Sequence, residues 1–172
     1  MITIISGTNR PDNNTRQVAD FIGKIYRDNA VDNQIYDLRD LPKNIAFSEV
    51  FGERSDAFAE DINRYVADVD KFIFVLPEYN GSFPGVLKLF IDSVEPKYWA
   101  GKKAAVVGLA TGRSGNLRGL DHLTNILNYL QVNVMHFKPN LSRLPGASPE
   151  GLELPKFYKE LLEMQFDLFK KF

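Results

Sequence analysis

Polar side chains suited to binding an anion follow the first apolar run of the chain. Residues 7–15 read GTNRPDNNT and lead into a segment of helical periodicity. Backbone N–H groups at a helix N-terminus form an anion site together with the positive end of the helix dipole, and an arginine fork suits phosphate. The residues expected to bind phosphate are Thr8, Arg10, Asn13, Asn14 and Thr15. In the alternative interpretation, this is a polar turn whose asparagines and threonines only cap the helix.

Two glycine motifs are absent from this first loop. It has neither the G-x-G-x-x-G fingerprint of dinucleotide sites nor the G-x-x-x-x-G-K-[ST] pattern of P-loop kinases. A phosphate site without the glycines that approach a pyrophosphate points to a mononucleotide ligand.

A second loop, residues 76–85 with the sequence LPEYNGSFPG, follows the apolar run KFIFVL. Pro77 makes the chain rigid where it leaves the strand, and Tyr79 offers a flat face or edge. Asn80 and exposed backbone amides are suited to binding the edge of a heterocycle. Glu78 is either a ligand or a clasp between loops, and we favour the clasp. In the alternative interpretation, the loop is a rigid turn with incidental polarity.

A third loop, ATGRSGN at residues 110–116, contains glycines that let the backbone approach a planar ligand closely. The candidate ligand-binding residues in this loop are Thr111, Gly112, Arg113 and Gly115. The alternative is that the glycines keep the loop open for conformational reasons.

The three loops belong to one alternation of strands and helices. Apolar runs, nearly continuous as in buried parallel strands, predict strands at residues 2–6, 33–38, 71–76, 103–110 and 132–137. Amphipathic segments between them predict helices, so the fold class is α/β, a three-layer doubly wound sheet. A sheet of only five strands favours the flavodoxin-type order 2-1-3-4-5. In that order the loops after strands one, three and four meet at the ligand-binding edge.

Helical patterns occupy the segments between the strands. Four of them cover residues 15–28, 54–70, 85–94 and 116–130, and an aromatic-rich amphipathic helix closes the chain within 148–172. The long loop at 40–56 is expected to line a site or a subunit contact.

The second loop carries a resemblance to a known family. The segment PEYNGSFPGVLKLFIDS is similar to the P-E-Y-N-x-S-x-P-G-x-L-K-N-x-I-D-W pattern of NAD(P)H-dependent FMN reductases. The first loop resembles that family's G-[ST]-x-R-x-x-S-x-[NT], with Thr8, Arg10 and Thr15 in register. The third loop resembles the third loop of the family only loosely. Asn13 replaces a serine of the pattern, Leu89-Phe90 replaces Asn-Ala, and Ser93 replaces the tryptophan.

The resemblance implies a flavodoxin-like protein that binds FMN and uses NADPH or NADH as co-substrate. Hydride would pass to FMN and then to a quinone, flavin, azo dye or other small-molecule acceptor. Residues 77–80 would touch the flavin ring, and Arg113 with the backbone of Gly112 and Gly115 would stabilise negative charge on the reduced ring. Since the cofactor performs the chemistry, no catalytic side chain is expected.

A second function remains open at this point, a flavodoxin-like electron carrier or an FMN-binding regulator without a nicotinamide site. Flavodoxins tend to be strongly acidic, whereas this chain has a net charge of -1. That charge and Arg10 in the phosphate loop favour the enzyme.

Composition limits the other possibilities. The 172 residues suit a single domain covering 1–172, and the near-zero charge gives no reason to expect binding to nucleic acid or a membrane. The chain has no cysteine, and His122 and His136 lack the spacing of metal ligands, so no metal is expected. No targeting segment is visible, which predicts a cytoplasmic location. Leu89, Phe90 and the aromatic last helix are expected to leave apolar surface exposed, which suggests a homodimer or homotetramer. In the alternative interpretation, Leu89 and Phe90 fill the core.

Overall fold

The computed structural model describes residues 1–148 and 151–172, and a twisted parallel sheet lies at its centre. The strands in the described residues are β1 (Ile2–Ser6), β2 (Asn33–Asp37), β3 (Lys71–Pro77), β4 (Lys103–Leu109), β5 (Asn133–Val134) and β6 (Asn140–Leu141). Their order is β2-β1-β3-β4-β5, with β6 also paired to β4, and every pairing is parallel. The predicted flavodoxin-type order is therefore confirmed.

Helices cover both faces of the sheet. They are α1 (Asn14–Asp28), α2 (Asp56–Ile62), α3 (Gly85–Ser93), α4 (Leu117–Tyr129) and α5 (Lys156–Lys171). A π-helical turn, Asn63–Ala67, extends α2, and short 3-10 turns occupy Leu38–Asp40 and Pro96–Tyr98. The closing helix begins later than the predicted segment 148–172, of which residues 149–150 lie outside the described residues.

The central strand shows why the apolar runs are continuous rather than alternating. Phe72 and Phe74 of β3 pack into a core beneath α2, α3 and α4. Ile73 and Val75 point to the other face, into a second core beneath α1 and α5. Because a parallel sheet is covered on both sides, neither face of β3 can be polar.

The predicted fifth strand, residues 132–137, is interrupted. Only its first half pairs with β4 as β5, and the chain bends at His136 before it returns to the sheet as β6. Gln165 of α5 occupies the gap, where its buried side-chain amide donates to the carbonyl oxygens of Val106 (3.1 Å) and Phe137 (3.4 Å). A side chain from a helix thus satisfies backbone groups that a continuous strand would have paired.

The prediction that Leu89 and Phe90 form exposed apolar surface was wrong for Phe90. Its ring is fully buried and lies 5.2 Å from the ring of Tyr36 and 6.1 Å from that of Trp99. Leu89, which immediately precedes Phe90 in α3, is half-buried. The replacement of the smaller family residues therefore enlarges the core at Phe90.

Residues 40–56 form a compact loop that leaves two aromatic rings in solvent. Ile45 anchors the loop in the core, and the buried carboxylate of Glu49 accepts a hydrogen bond from the backbone N–H of Ser55 (2.9 Å). Ser55 also caps α2, as its side chain accepts from the N–H of Phe58. The side chains of Phe47 and Phe51 are 85% and 92% exposed. Exposed aromatic surface of this kind is typical of an interaction site.

Candidate functional site

A cavity of about 330 Å³ lies where the carboxyl ends of β1, β3 and β4 meet. Its volume falls in the range of small-molecule sites, and its place is the one expected for ligands of doubly wound sheets. Eight of the residues expected to bind the ligand line it: Arg10, Asn13, Asn14, Thr15, Pro77, Glu78, Tyr79 and Thr111. The structure therefore brings together one part of each of the three predicted loops.

The N-terminus of α1 opens into this cavity. Asn13 is its N-cap, since its side-chain oxygen accepts from the N–H of Arg16 at 2.8 Å, while its amide donates to the carbonyl oxygen of Arg10 at 2.6 Å. Asn13 therefore caps α1, as the alternative interpretation of the first loop proposed. The first N–H groups of a helix have no intrahelical acceptor, so those of Asn14 and Thr15 remain available to an anion.

The guanidinium of Arg10 reaches this cavity without a carboxylate partner. Among residues 1–148 and 151–172 it forms no ion pair, and the side chain is exposed. A free guanidinium beside an open helix N-terminus is an arrangement suited to phosphate.

Gly7 permits the first loop to turn beside β3. Its N–H donates to the carbonyl oxygen of Val75 at 2.8 Å, and a Cβ at this position would lie 2.8 Å from the same oxygen. Any other residue would push the loop away from the sheet, so the close approach requires glycine.

A hydrogen bond joins the first and second loops. The hydroxyl groups of Thr8 and Tyr79 lie 2.8 Å apart. Thr8 is fully buried and is not among the residues lining the cavity. It therefore fixes the position of Tyr79, whose side chain does line the cavity.

A second hydrogen bond joins the second and third loops. The hydroxyl of Ser114 donates to the carboxylate of Glu78 at 2.6 Å, and the backbone N–H of Glu78 donates to the carbonyl oxygen of Leu109 at 2.8 Å. These contacts match the clasp interpretation of Glu78. Asn116, which is buried, adds a third tie because its amide donates to the carbonyl oxygen of Leu76 at 3.1 Å.

Four of the expected site residues lie beside the cavity rather than in its wall. Asn80 is exposed at a positive φ of 51° in a tight turn, and Arg113 is exposed. Gly112 has open space where a Cβ would lie, so a ligand has room to approach it. Gly115, at φ 58°, instead packs against Asn140, from which a Cβ would be only 2.9 Å away. The absence of a side chain at Gly115 is explained by this internal contact.

One wall of the cavity was not anticipated from the sequence. Besides Asp12, Leu109 and Ala110, the lining includes the segment 144–147, which follows β6. Asn14 holds this segment in place, since its side-chain amide donates to the carbonyl oxygen of Pro145 at 2.7 Å. The Pro-Gly pair within RLPGAS signals a turn, but the turn could be assigned to the site only once the interrupted strand was known.

A buried ion cluster supports the first loop from the side of β2. Asp37, at the end of β2, accepts hydrogen bonds from Arg16 of α1 (3.0 Å) and Arg39 (2.7 Å). Arg39 also donates to the carbonyl oxygen of Pro11 in the first loop at 3.2 Å. Burial by itself would raise the pKa of Asp37, but the hydrogen bonds from Arg39 and Arg16 outweigh it and hold the pKa below its ordinary value.

Clusters of metal-ligating side chains and membrane-spanning helices are both absent from the described parts of the chain. No group of three or more histidine, cysteine, aspartate or glutamate side chains is placed to hold a metal ion there. Within the same residues, none of the helices combines the length and apolarity needed to cross a bilayer.

Comparison with known proteins agrees with this geometry. The family described as NADPH-dependent FMN reductase matches residues 1–140. A 2-hydroxy-1,4-benzoquinone reductase of Burkholderia sp is 27% identical over 139 residues, 78% of this chain and 74% of the relative. An NAD(P)H-dependent FMN reductase of Pseudomonas aeruginosa is 34% identical over 112 residues, 62% of this chain and 60% of the relative.

A solved structure extends the likeness over the whole fold. The flavoenzyme NAD(P)H:(acceptor) oxidoreductase FerB of Paracoccus denitrificans superposes with a TM-score of 0.78 at 21% identity. The match covers 99% of this chain and 97% of that protein.

Proposed function

This chain belongs to the NADPH-dependent FMN reductase family, and we propose that it holds its FMN in the cavity at the ends of β1, β3 and β4. Membership makes the protein an oxidoreductase with FMN as cofactor, NAD(P)H as co-substrate and a small molecule as acceptor. The electron-carrier alternative is set aside on this ground. We further propose that the chain acts as one FMN-binding domain over 1–172 and works in the cytoplasm.

The open N-terminus of α1 supports the proposal most directly. In it, the N–H groups of Asn14 and Thr15 and the guanidinium of Arg10 hold the phosphate of FMN, while Asn13 keeps the helix start in place. The two N–H groups are hydrogen-bond donors, and the guanidinium is a cation that forms no ion pair with a carboxylate in the described residues. Such a set of groups fits a dianionic phosphate.

The second and third loops would bind the flavin ring in this proposal. Pro77 and Tyr79 line the cavity as a rigid, partly aromatic wall, and Thr8 holds the tyrosine in place. Asn80, Gly112 and Arg113 are proposed to meet the ring edge from beside the cavity. Bound FMN would supply two-electron transfer between nicotinamide and acceptor, whereas the chain binds and orients it and needs no catalytic side chain.

A quinone is the proposed acceptor. The support comes from the benzoquinone reductase relative, which matches 78% of this chain.

Replacement of Arg10 tests the phosphate site. Arg10→Ala removes a charge-assisted contact, which is worth about 1–3 kcal/mol, so FMN should bind roughly 5- to 150-fold more weakly. Riboflavin, which has no phosphate, should bind equally well to both proteins. Lys24→Ala, which removes an exposed positive charge from α1, the helix that follows Arg10, is the matched control. Flavin fluorescence titration measures the six affinities of the three proteins for the two ligands, and equal losses for FMN and riboflavin in Arg10→Ala would remove Arg10 from the phosphate site.

We also propose that the working unit is a homodimer or homotetramer in which loop 40–56 of one copy forms part of the wall of the nicotinamide site of another. The two exposed rings of that loop, Phe47 and Phe51, support this. Light scattering at micromolar concentration should give a mass of two or four chains, and Phe47→Ser with Phe51→Ser should lower it. A mass of one chain with full reductase activity would contradict the proposal.

A further inference from the structure

A stripe of apolar side chains lies open to solvent on α5. The α5 stripe consists of Phe157, Leu161, Met164, Leu168 and Phe172, in steps of four, three, four and four residues. Phe157 is 63% exposed, Met164 51% and Leu168 38%, and the other two are half-buried. Exposed apolar surface of this extent on one helix marks an interface.

The α5 stripe is separate from the face by which α5 packs on the sheet. That face is formed by Leu162, Gln165, Phe166 and Phe169, all buried. A helix that packs on one side only needs a single apolar stripe. Phe172, at the end of the α5 stripe, also packs on the core and stacks on Phe169, with the ring centroids 6.1 Å apart. The exposed side chains of Phe157, Met164 and Leu168 are not explained by that packing.

The order of side chains in the α5 stripe is the same in both directions: Phe, Leu, Met, Leu, Phe. Steps of three and four residues, as in this stripe, keep side chains on one face of a helix, as in a coiled-coil seam. If two copies of the helix pair antiparallel about Met164, then Phe157 faces Phe172 and Leu161 faces Leu168. The stripe is thus complementary to itself under a two-fold axis, which is the requirement for an isologous contact.

The charges beside the α5 stripe favour the same arrangement. Glu160 near one end and Lys171 near the other border it on the same side, and both are exposed. Antiparallel pairing brings Glu160 of each copy towards Lys171 of the other, giving two ion pairs. Parallel pairing places the two copies of this charged side on opposite sides of the seam and forms no such pair. Within residues 1–148 and 151–172, the ion pair formed by Glu160 is a long contact of 3.6 Å with Lys156.

We propose that α5 pairs antiparallel with α5 of a second copy of this chain through the α5 stripe. This contact is distinct from the one proposed for loop 40–56, because α5 and that loop pack on opposite faces of the sheet. A chain that uses both contacts assembles into a tetramer. Neither FMN binding nor reductase activity of the single site depends on it, so the proposals fail separately.

Cysteine cross-linking tests the pairing, because the chain contains no cysteine of its own. Met164→Cys places one thiol on the two-fold axis, and mild oxidation should convert the FMN-loaded protein to covalent dimers on a non-reducing gel. Glu163→Cys, the neighbouring position on the charged side of α5, is the matched control and should stay monomeric on the gel. Equal cross-linking rates for the two variants would overturn the proposal.

Two further measurements test the relative direction of the paired α5 helices and the mass of the assembly. Leu161→Cys and Leu168→Cys should cross-link when the two proteins are mixed and not when each is alone, whereas cross-linking of each alone would show parallel pairing and refute the antiparallel contact. Met164→Glu should halve the mass found by light scattering with FMN content unchanged. A folded Met164→Glu protein of unaltered mass would also refute the contact, and the cysteine experiment decides if that variant does not fold.

Discussion

At the scale of single residues, the site depends on side chains that tie loops together as much as on those that line the cavity. Thr8 holds Tyr79, and Ser114 holds Glu78, so each predicted loop is fixed by its neighbour. These residue types and the clasp formed by Glu78 were predicted from the sequence. The supporting position of Thr8 was not, because the burial of Thr8 depends on how closely Gly7 brings the loop to β3.

Asp37 should make the stability of the protein depend on pH. Its folded-state pKa is depressed by the bonds from Arg39 and Arg16 in spite of burial. The ionised form therefore contributes stability above the ordinary carboxyl pKa, and this contribution is lost as the pH falls through the depressed folded-state value. Asp37→Asn lacks the contribution at every pH. We expect it to be less stable at neutral pH by about 1–3 kcal/mol and to lose less stability on acidification.

Urea unfolding at several pH values from neutral to strongly acidic measures this effect. Asp20→Asn is the control, since Asp20 is an exposed partner of the same Arg16 and such pairs contribute little. Parallel stability curves for Asp37→Asn and the unchanged protein would show that the cluster does not contribute in this way. The Asp37→Asn protein should also bind FMN more weakly, because Arg39 would no longer be held against Pro11 of the first loop.

At the scale of elements, the strand order and the three site loops followed from sequence because parallel strands have a strong signature. Continuous apolar runs require cover on both faces, and right-handed crossovers leave few orders. The fifth strand did not follow, since its apolar run VNVMHF looks continuous and the interruption depends on Gln165 in a helix far along the chain. For the same reason the wall at 144–147 was missed.

Gln165 should be important for stability out of proportion to its place on a surface helix. Gln165→Leu leaves the carbonyl oxygens of Val106 and Phe137 without that donor in a buried setting. A lost buried hydrogen-bond partner costs about 1–3 kcal/mol. Urea unfolding should show this loss, while Glu163→Leu on the exposed side of α5 should stay within about 0.5 kcal/mol. A loss for Gln165→Leu no larger than for the control would show that the gap between β5 and β6 closes without it.

At the scale of the whole molecule, each face of the sheet carries a different exposed apolar surface. The α2–α4 side carries the compact loop 40–56 with Phe47 and Phe51 in solvent, and the α1–α5 side carries the α5 stripe. The cavity proposed to hold FMN opens at the edge between these faces, at the ends of β1, β3 and β4. This layout leaves the cavity accessible in one chain and allows a second copy to complete it.

Anaerobic mixing of the FMN-loaded protein with NADPH or NADH tests whether the bound flavin takes hydride from a nicotinamide. We expect rapid loss of the flavin absorption band with at least one nicotinamide, and rapid return of the band when a benzoquinone is then added. Arg10→Ala, once reloaded at high FMN concentration, should bleach as the unchanged protein does, since we propose that Arg10 serves cofactor binding alone. A protein that binds FMN but is not bleached by either nicotinamide would not be an NAD(P)H-dependent reductase.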